Sequence, residues 1–210
     1  MLQQTVLQAN LTCSQTDALL SHCRQISHSN ERANRLVEQL LILAKLAPQQ
    51  GLNPQTFAPI DWIALSNDIL SEVNRRAREK NSQLRRDVLV DAKVILPLTG
   101  NATLIGILLR NLLDNAIRYS PEQAQIFINP TIEKQHLRLS IENSGNGVDA
   151  TVIQRLGERF YRALGTKTQG SGLGLSICQK IVDLHAGQLL FSSSDLGGLK
   201  VELLLNRVEP

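Results

Sequence analysis

In NLLDNAIRYSP (111–121), Asn111, Asn115, Arg118 and Tyr119 fall three or four residues apart, so on a helix they share one stripe. Two carboxamides, a cation and a phenol beside the apolar Leu108, Leu112 and Leu113 suit a ligand better than a core. An asparagine oxygen is a hard, neutral ligand that can help hold Mg²⁺ bridged to phosphates, with waters completing the octahedron. Taken alone, such a stripe also fits a solvated helix face. A second element, NSGNG (143–147), follows an expected strand and precedes an expected helix. Its glycines would let the backbone pass close to a planar ligand, and an ordinary glycine turn is the competing reading. A third, GSGLGLSI (170–177), sets Gly170, Gly172 and Gly174 ahead of an amphipathic helix. Successive N–H groups exposed at a helix N-terminus favour a phosphate. The run is neither GxxxxGK[ST] nor a GxGxxG preceded by a strand, so neither the P-loop nor the dinucleotide-binding reading applies.

These residues need elements to hold them. The first 47 residues read as two helices with a turn near CSQTD (13–17). In the second, Leu19, His22, Ile26, Ser29, Ala33, Leu36, Leu40, Leu43 and Ala47 alternate steps of three and four, the rhythm of a bundle seam. Leu2, Val6, Ala9 and Cys13 show the same rhythm in the first. A two-helix hairpin cannot bury both faces alone, so it pairs with a second copy into a four-helix bundle or packs on the rest of its own chain. PQQGLNP (48–54) marks a linker. Residues 1–50 are therefore expected to form one unit and residues 51–210 another. In the second unit, helices are expected from Asp61 to Glu79, Asn101 to Tyr119, Asp149 to Glu158 and Leu173 to His185. Strands are expected at Leu84–Val90, Lys93–Leu98, Ile126–Ile132 and Leu137–Asn143, with two more at the end. Helices and strands mix without strict βαβ alternation, which predicts an α+β fold: a mixed, mostly antiparallel sheet with helices on one face.

Composition narrows the function classes. Hydrophobic residues make up 42% and charged residues 20% of the 210, which suffices for a packed core and argues against disorder. Aromatic residues are only 3%, too few for base-stacking platforms along single-stranded nucleic acid. A net charge of +3 does not imply a nucleic-acid partner. The basic run of Arg75, Arg76, Arg78, Lys80, Arg85 and Arg86 reads as a solvated face, and no nucleic acid is expected as partner. The longest uninterrupted apolar stretch, Leu40 to Ala44, falls far short of the roughly 20 residues that span a bilayer. The start, MLQQTVLQAN, does not read as a secretory signal. Cys13, Cys23 and Cys178 have no CxxC spacing and read as reduced packing residues.

Order and spacing together say more than any motif singly. NLLDNAIRYSP, NSGNG, ERFYR (158–162) and GSGLGLSI resemble, in that order, the N, first glycine, F and second glycine boxes of sensor histidine kinases. The match extends to LHAGQLLFSSSDLGGLKVELLL (184–205), which looks like that family's last helix and hairpin. NERANRLVEQLLILAKL (30–46) is similar to its second dimerisation helix, especially in the quorum-sensing and polymyxin-resistance sensor branch. The resemblance implies a helical-hairpin dimerisation segment followed by an α/β sandwich ATP-binding domain of the histidine kinase/gyrase type, with ATP and Mg²⁺ as cofactors. It implies Asn115 and Asn111 as metal ligands, Arg118 as a phosphate contact, and Tyr119 as a wall of the pocket. Gly145 and Gly147 would border adenine. Tyr161 to Gly170 would be a mobile lid, with Arg162 near the phosphates and Phe160 anchored in the core. Gly170, Ser171, Gly172, Leu173 and Gly174 would cradle the phosphates. The implied partners are a response regulator and a second copy bound through the N-terminal helices, in the cytoplasmic portion of a membrane-anchored bacterial inner-membrane protein.

Two departures from the family pattern stand out. Asn143 occupies the place of an aspartate that accepts from the adenine amino group; asparagine keeps one carbonyl acceptor but loses the charge-assisted bond, which is about twice as strong. The phosphoacceptor box, a histidine followed by an acidic residue and then a proline, is missing, since His22, His28, His136 and His185 all sit in other contexts. His22 reads as a seam residue, and His185 as a helix C-terminal residue favoured by the dipole. The chain is expected to hold nucleotide but to lack its own phosphorylation site. Related gyrase-type ATPases carry a water-activating glutamate where this chain has Asn111, which cannot act as a base, so kinase chemistry is favoured over hydrolysis. The rival reading is a nucleotide-binding or dimerisation module without catalysis.

Overall fold

The computed structural model describes residues 2–46, 57–79, 83–86, 98–133, 136–145, 147–162 and 170–206. It divides into two units, Met1–Ala44 and Lys45–Pro210. In the first, α1 is one helix, Leu2–Lys45, and this corrects the expected turn at 13–17. No glycine or proline occurs before Pro48, so nothing breaks the hydrogen-bond ladder. Ser14, Thr16 and Asp17, whose types suggested a turn, cost a helix interior only a few tenths of a kcal/mol each, about 0.5. Leu19, Ile26, Leu36 and Leu40 of the seam are exposed on α1, as is Cys23, which therefore does not pack as expected.

The second unit is built on a five-stranded sheet of β2 (Gln83–Arg86), β4 (Gln125–Glu133), β5 (His136–Ser144), β6 (Gln188–Ser193) and β7 (Gly197–Asn206), in the order β2-β4-β5-β7-β6. Only β2 and β4 run parallel; the other neighbours are antiparallel. The sheet is thus mixed and mostly antiparallel, as the sequence predicts. A separate two-stranded ribbon pairs β1 (Ala58–Ile60) with β3 (Leu98–Gly100). The expected strand at Lys93–Leu98 falls largely outside the described residues, as does the linker at 48–54.

Period-two burial along β4 and β5 sends Ile126, Ile128, Leu137, Leu139 and Ile141 inward. Of these, Ile128, Leu139 and Ile141 meet α2 (Trp62–Glu79) and α3 (Ala102–Tyr119) at a crevice with Pro130, Trp62, Ile69, Leu109 and Leu113. Helix α2 begins at Asp61, whose carboxylate accepts the Ala64 N–H at 2.9 Å, an N-cap. Asn101 does the same for α3 through Leu104 N–H at 3.1 Å. Salt bridges lock the two helices together, Arg76 with Asp114 at 2.7 Å and Arg110 with Glu72 at 2.9 Å. The hydrogen bond from Arg110 holds the Glu72 carboxyl below its usual range.

The helix expected at Asp149–Glu158 is shorter than predicted. Helix α4 covers Ala150–Ile153, and beyond it Arg155, Leu156 and Glu158 make tighter bonds to the third residue back. Gly157, at φ +96°, then turns the chain.

Candidate functional site

Helix α3 carries the asparagine stripe and α5 (Gly174–Leu184) follows the glycine loop, so the site depends on how these two helices meet. They run antiparallel, as three contacts along their length show. At one end the Asn101 N–H donates to His185 Nε2 at 3.1 Å. Midway, buried Cys178 places its Sγ 3.8 Å from the Leu108 carbonyl. At the other end, a Cβ added to Gly174 would lie 3.2 Å from Asn111 Oδ1 and 3.7 Å from Asn115 Nδ2. One turn further, a Cβ on Gly170 would lie 3.3 Å from Tyr119 Oη and 3.4 Å from Arg118 Nη1. All four stripe residues therefore face the glycine loop.

The local chemistry is open toward that loop. Asn111 Nδ2 donates to the Ile107 carbonyl at 2.9 Å, which turns Oδ1 toward Gly174. Helix α5 starts at Leu173 without a side-chain cap, so the N–H groups of its first turn are not taken by one. Ser171 Oγ accepts the Leu173 N–H at 3.2 Å and fixes the approach to the helix. Leu173 itself is fully buried and anchors the loop. The first-turn donors and the carboxamides thus border one small space, kept clear because residue 174 has no side chain.

The ERFYR segment joins the loop through main chain. Phe160 N–H donates to the Gly172 carbonyl at 3.0 Å, and a Cβ on Gly172 would fall 2.7 Å from the Phe160 carbonyl carbon. Gly172 sits at φ +72° and Phe160 at φ +61°, both in the left-handed region. Phe160 is 64% exposed, which corrects the expectation of a ring anchored in the core: its backbone makes the attachment. Arg162, two residues on, is exposed. The lid expected at Tyr161–Gly170 lies mostly outside the described residues.

Asn143 is buried at the end of β5, beside an irregularity in the pairing with β7. Its Oδ1 accepts the Leu199 N–H at 3.2 Å, and its Nδ2 donates to the Ser144 carbonyl at 3.3 Å. The carbonyl that the resemblance assigns to adenine is therefore satisfying the strand ladder where it slips. Gly145 approaches Pro121, just past the end of α3, with 3.7 Å between its added Cβ and Pro121 Cδ. That contact brings Gly145 to the Tyr119 end of the stripe. Gly147 (φ +85°) faces the Gly197 carbonyl.

His185 emerges from the structure as a hub whose role its place in the sequence did not indicate. Because Nε2 accepts from Asn101, the ring is neutral with its proton on Nδ1, which donates to the Ile181 carbonyl at 2.7 Å. Burial pulls its pKa below the ordinary 6.5, so desolvation outweighs the helix dipole expected to favour the cation. The ring lies 4.8 Å from that of Phe57 and fills the place of a side chain at Gly100.

Among the described residues no group of three or more His, Cys, Asp or Glu could hold a metal ion, and no helix is long and apolar enough to cross a membrane. A cation at this site would be held by neutral amide oxygens together with oxygens of its ligand. Asn111 Oδ1 fits that chemistry; Asn115 turns its Nδ2 toward Gly174, so its oxygen meets a cation there once the amide turns over.

Residues 100–209 match the family described as histidine kinase-, DNA gyrase B-, and HSP90-like ATPase. The chain is 32% identical over 179 residues to the sensor protein QseC of Escherichia coli O157:H7, covering 85% of this chain and 38% of that protein. It is 34% identical over 188 residues to the sensor protein kinase PmrB of Pseudomonas aeruginosa, covering 89% and 38%. It therefore spans less than two fifths of the length of these curated relatives. Among solved structures, the catalytic domain of histidine kinase ThkA superposes with a TM-score of 0.62 at 27% identity, covering 72% of this chain and 95% of that one.

Proposed function

The chain belongs to the histidine kinase-, DNA gyrase B- and HSP90-like ATPase family, and on that premise we propose that it is the ATP-binding catalytic part of a two-component sensor histidine kinase. The observation that carries this reading is the juxtaposition of Asn111 Oδ1 with Gly174, and of Arg118 and Tyr119 with Gly170. In this proposal Asn111 and Asn115 hold Mg²⁺, which when bound supplies charge neutralisation across the phosphates. Arg118 and Arg162 contact the phosphates, the main-chain N–H groups of Gly170 to Gly174 cradle them, and Tyr119, Gly145 and Gly147 border the base. Catalysis is chiefly positioning and preorganised charge: the loop and the stripe hold the γ-phosphate in line with an imidazole nitrogen.

None of the four histidines lies in an acceptor box, and both ring nitrogens of His185 are engaged. The acceptor histidine is thus read as lying outside these residues, with phosphate passing onward to a response-regulator aspartate. The exposed leucines and isoleucine of α1 favour a homodimer through that helix, and the protein is read as the cytoplasmic portion of a membrane-anchored bacterial sensor. One observation favours a second reading, a nucleotide-binding module without catalysis: Asn143 Oδ1 is already engaged by Leu199 N–H. Mixing the chain with Mg-ATP and a separate polypeptide bearing the acceptor helix tests the two. Phosphohistidine on that polypeptide supports the kinase; binding without transfer supports the module.

A further inference from the structure

Helices α3 and α5 border the proposed phosphate space at one end, and a single imidazole joins them at the other. His185 Nε2 accepts the Asn101 N–H at 3.1 Å, while Nδ1–H donates to the Ile181 carbonyl of α5 at 2.7 Å. Asn101 in turn starts α3: its Oδ1 accepts the Leu104 N–H at 3.1 Å, and its carbonyl accepts the Ile105 N–H at 3.0 Å. One acceptor atom therefore ties the end of α5 to the beginning of α3. The ring is also tightly fitted. A Cβ on Gly100 would fall 2.8 Å from its Cδ2, and the Phe57 ring lies 4.8 Å away, tilted by 33°. A second proton on this ring can go only to Nε2, where it turns the acceptor into a donor facing the Asn101 N–H. The contact then repels, and in close packing the ring has to shift against its neighbours.

We propose that His185 is a proton-sensitive positioning residue for the nucleotide site: the neutral ring sets the spacing of α3 and α5, and a proton on Nε2 releases Asn101 and weakens Mg-ATP binding. The inference rests on the nucleotide reading above and adds pH control to it. Helix α5 rises about 1.5 Å per residue, so Gly174 lies about 6 Å and His185 about 10 Å along it from Cys178, which meets the Leu108 carbonyl of α3. With that buried contact as pivot, a displacement of about 1 Å at His185 swings Gly174 by about 0.6 Å relative to Asn111. Misplacing a site by about 1 Å costs on the order of a hundredfold, so a swing of this size is worth about tenfold in affinity.

The surroundings offer the cation no counter-charge. The first turn of α3 has no acidic residue. The ionisable groups closest along the other elements that meet at the ring have partners of their own. Asp183 of α5 accepts from Gln179 at 2.9 Å, Asp61 after β1 caps α2, and His136 of β5 pairs with Asn206, which also donates to the Ala186 carbonyl. Among the described residues no carboxylate is bonded to the ring, which meets main chain and apolar side chains. Burial accordingly lowers its pKa from the ordinary 6.5, against the opposing effect of the bond to Ile181. The neutral clamp is therefore complete above pH 6.5 and is lost as pH falls through the folded-state pKa.

The test is calorimetric titration of the full chain with Mg-ATP from pH 7.5 down to about 5, repeated on His185→Gln, whose amide can accept from Asn101 and donate to Ile181 without titrating. Each affinity is taken relative to that protein's own value at pH 7.5, which cancels the titration of the nucleotide. The wild type is expected to lose about threefold or more relative to His185→Gln across this range, the limit being about tenfold per pH unit below the folded-state pKa. Superimposable profiles of two folded proteins overturn the inference and leave the nucleotide reading intact; absence of Mg-ATP binding at every pH overturns both. If His185→Gln does not fold, the wild-type chain decides alone through the imidazole resonances in nuclear magnetic resonance. Linkage is reciprocal, so saturating Mg-ATP should lower the His185 pKa further while leaving that of His136 in place. A His185 pKa unmoved by the nucleotide overturns the inference.

Discussion

Gly174→Ala separates the proposed ligand role of this loop from its structural role. Residue 174 is the first of α5 and has no left-handed φ, so alanine fits the backbone. Helix propensity and the lower entropy of the unfolded chain favour alanine there by about 0.4–1 kcal/mol. Against this, the new methyl would lie 3.2 Å from Asn111 Oδ1, a contact relieved by a shift of a few tenths of an ångström. The balance predicts a melting temperature within about 4 °C of the wild type for a chain of this size. The same methyl fills the space between Asn111 Oδ1 and the first-turn donors of α5, where the proposed function sets the metal and phosphates. Losing one hydrogen bond to a charged group there removes about 1.5–3 kcal/mol, about ten- to hundredfold in Mg-ATP affinity. Thermal unfolding without nucleotide, paired with calorimetry using Mg-ATP and ATP in chelator, reads both quantities. A folded variant with wild-type Mg-ATP affinity refutes the placement of the triphosphate.

Three further perturbations have distinct expected outcomes. Asn115→Ala should abolish the difference between titrations of ATP with and without Mg²⁺; an unchanged difference removes Asn115 from the metal site. Gly172→Ala should destabilise by about 1–3 kcal/mol, since it forces a side chain to φ +72° and onto the Phe160 main chain; a melting temperature equal to that of Gly174→Ala contradicts this. Because burial depresses the His185 pKa, the unfolded chain takes up a proton first as pH falls below 6.5. Stability should therefore be full above that pH, decline until the folded-state pKa is passed, and be flat below it. Glu72 and Asp149, lowered from 4.5 and 3.8, act in a more acidic range. Denaturant unfolding at pH 7.5 and 5.5 should show a smaller loss in His185→Gln than in the wild type, and equal losses would exclude His185 as the source.

Much of the architecture was legible because it is local. Alternating Leu137, Leu139 and Ile141 mark a strand whose pleat buries every second residue, and Asn101 lies where a helix cap belongs. The order of the four boxes pointed to the family, and the stripe at 111–119 does lie against the loop at 170–174. The turn expected at 13–17 is replaced by continuous helix because cap-forming residues also tolerate a helix interior when no glycine or proline forces an exit.

What the residues determined unaided was periodicity and chemical type: which faces are apolar, where glycines allow close approach, and which oxygens are hard enough for a cation. What the tertiary structure decided was the use to which each group is put. Asn143 meets Leu199 across 56 residues only because β5 and β7 slip register there. His185 is fixed as the Nδ1-protonated tautomer, with its pKa lowered, because α5 docks antiparallel on α3 and buries the ring against Asn101, 84 residues away. Hydrogen bonds spanning such separations depend on strand register and helix packing, which follow from the whole core and leave no local spacing to read.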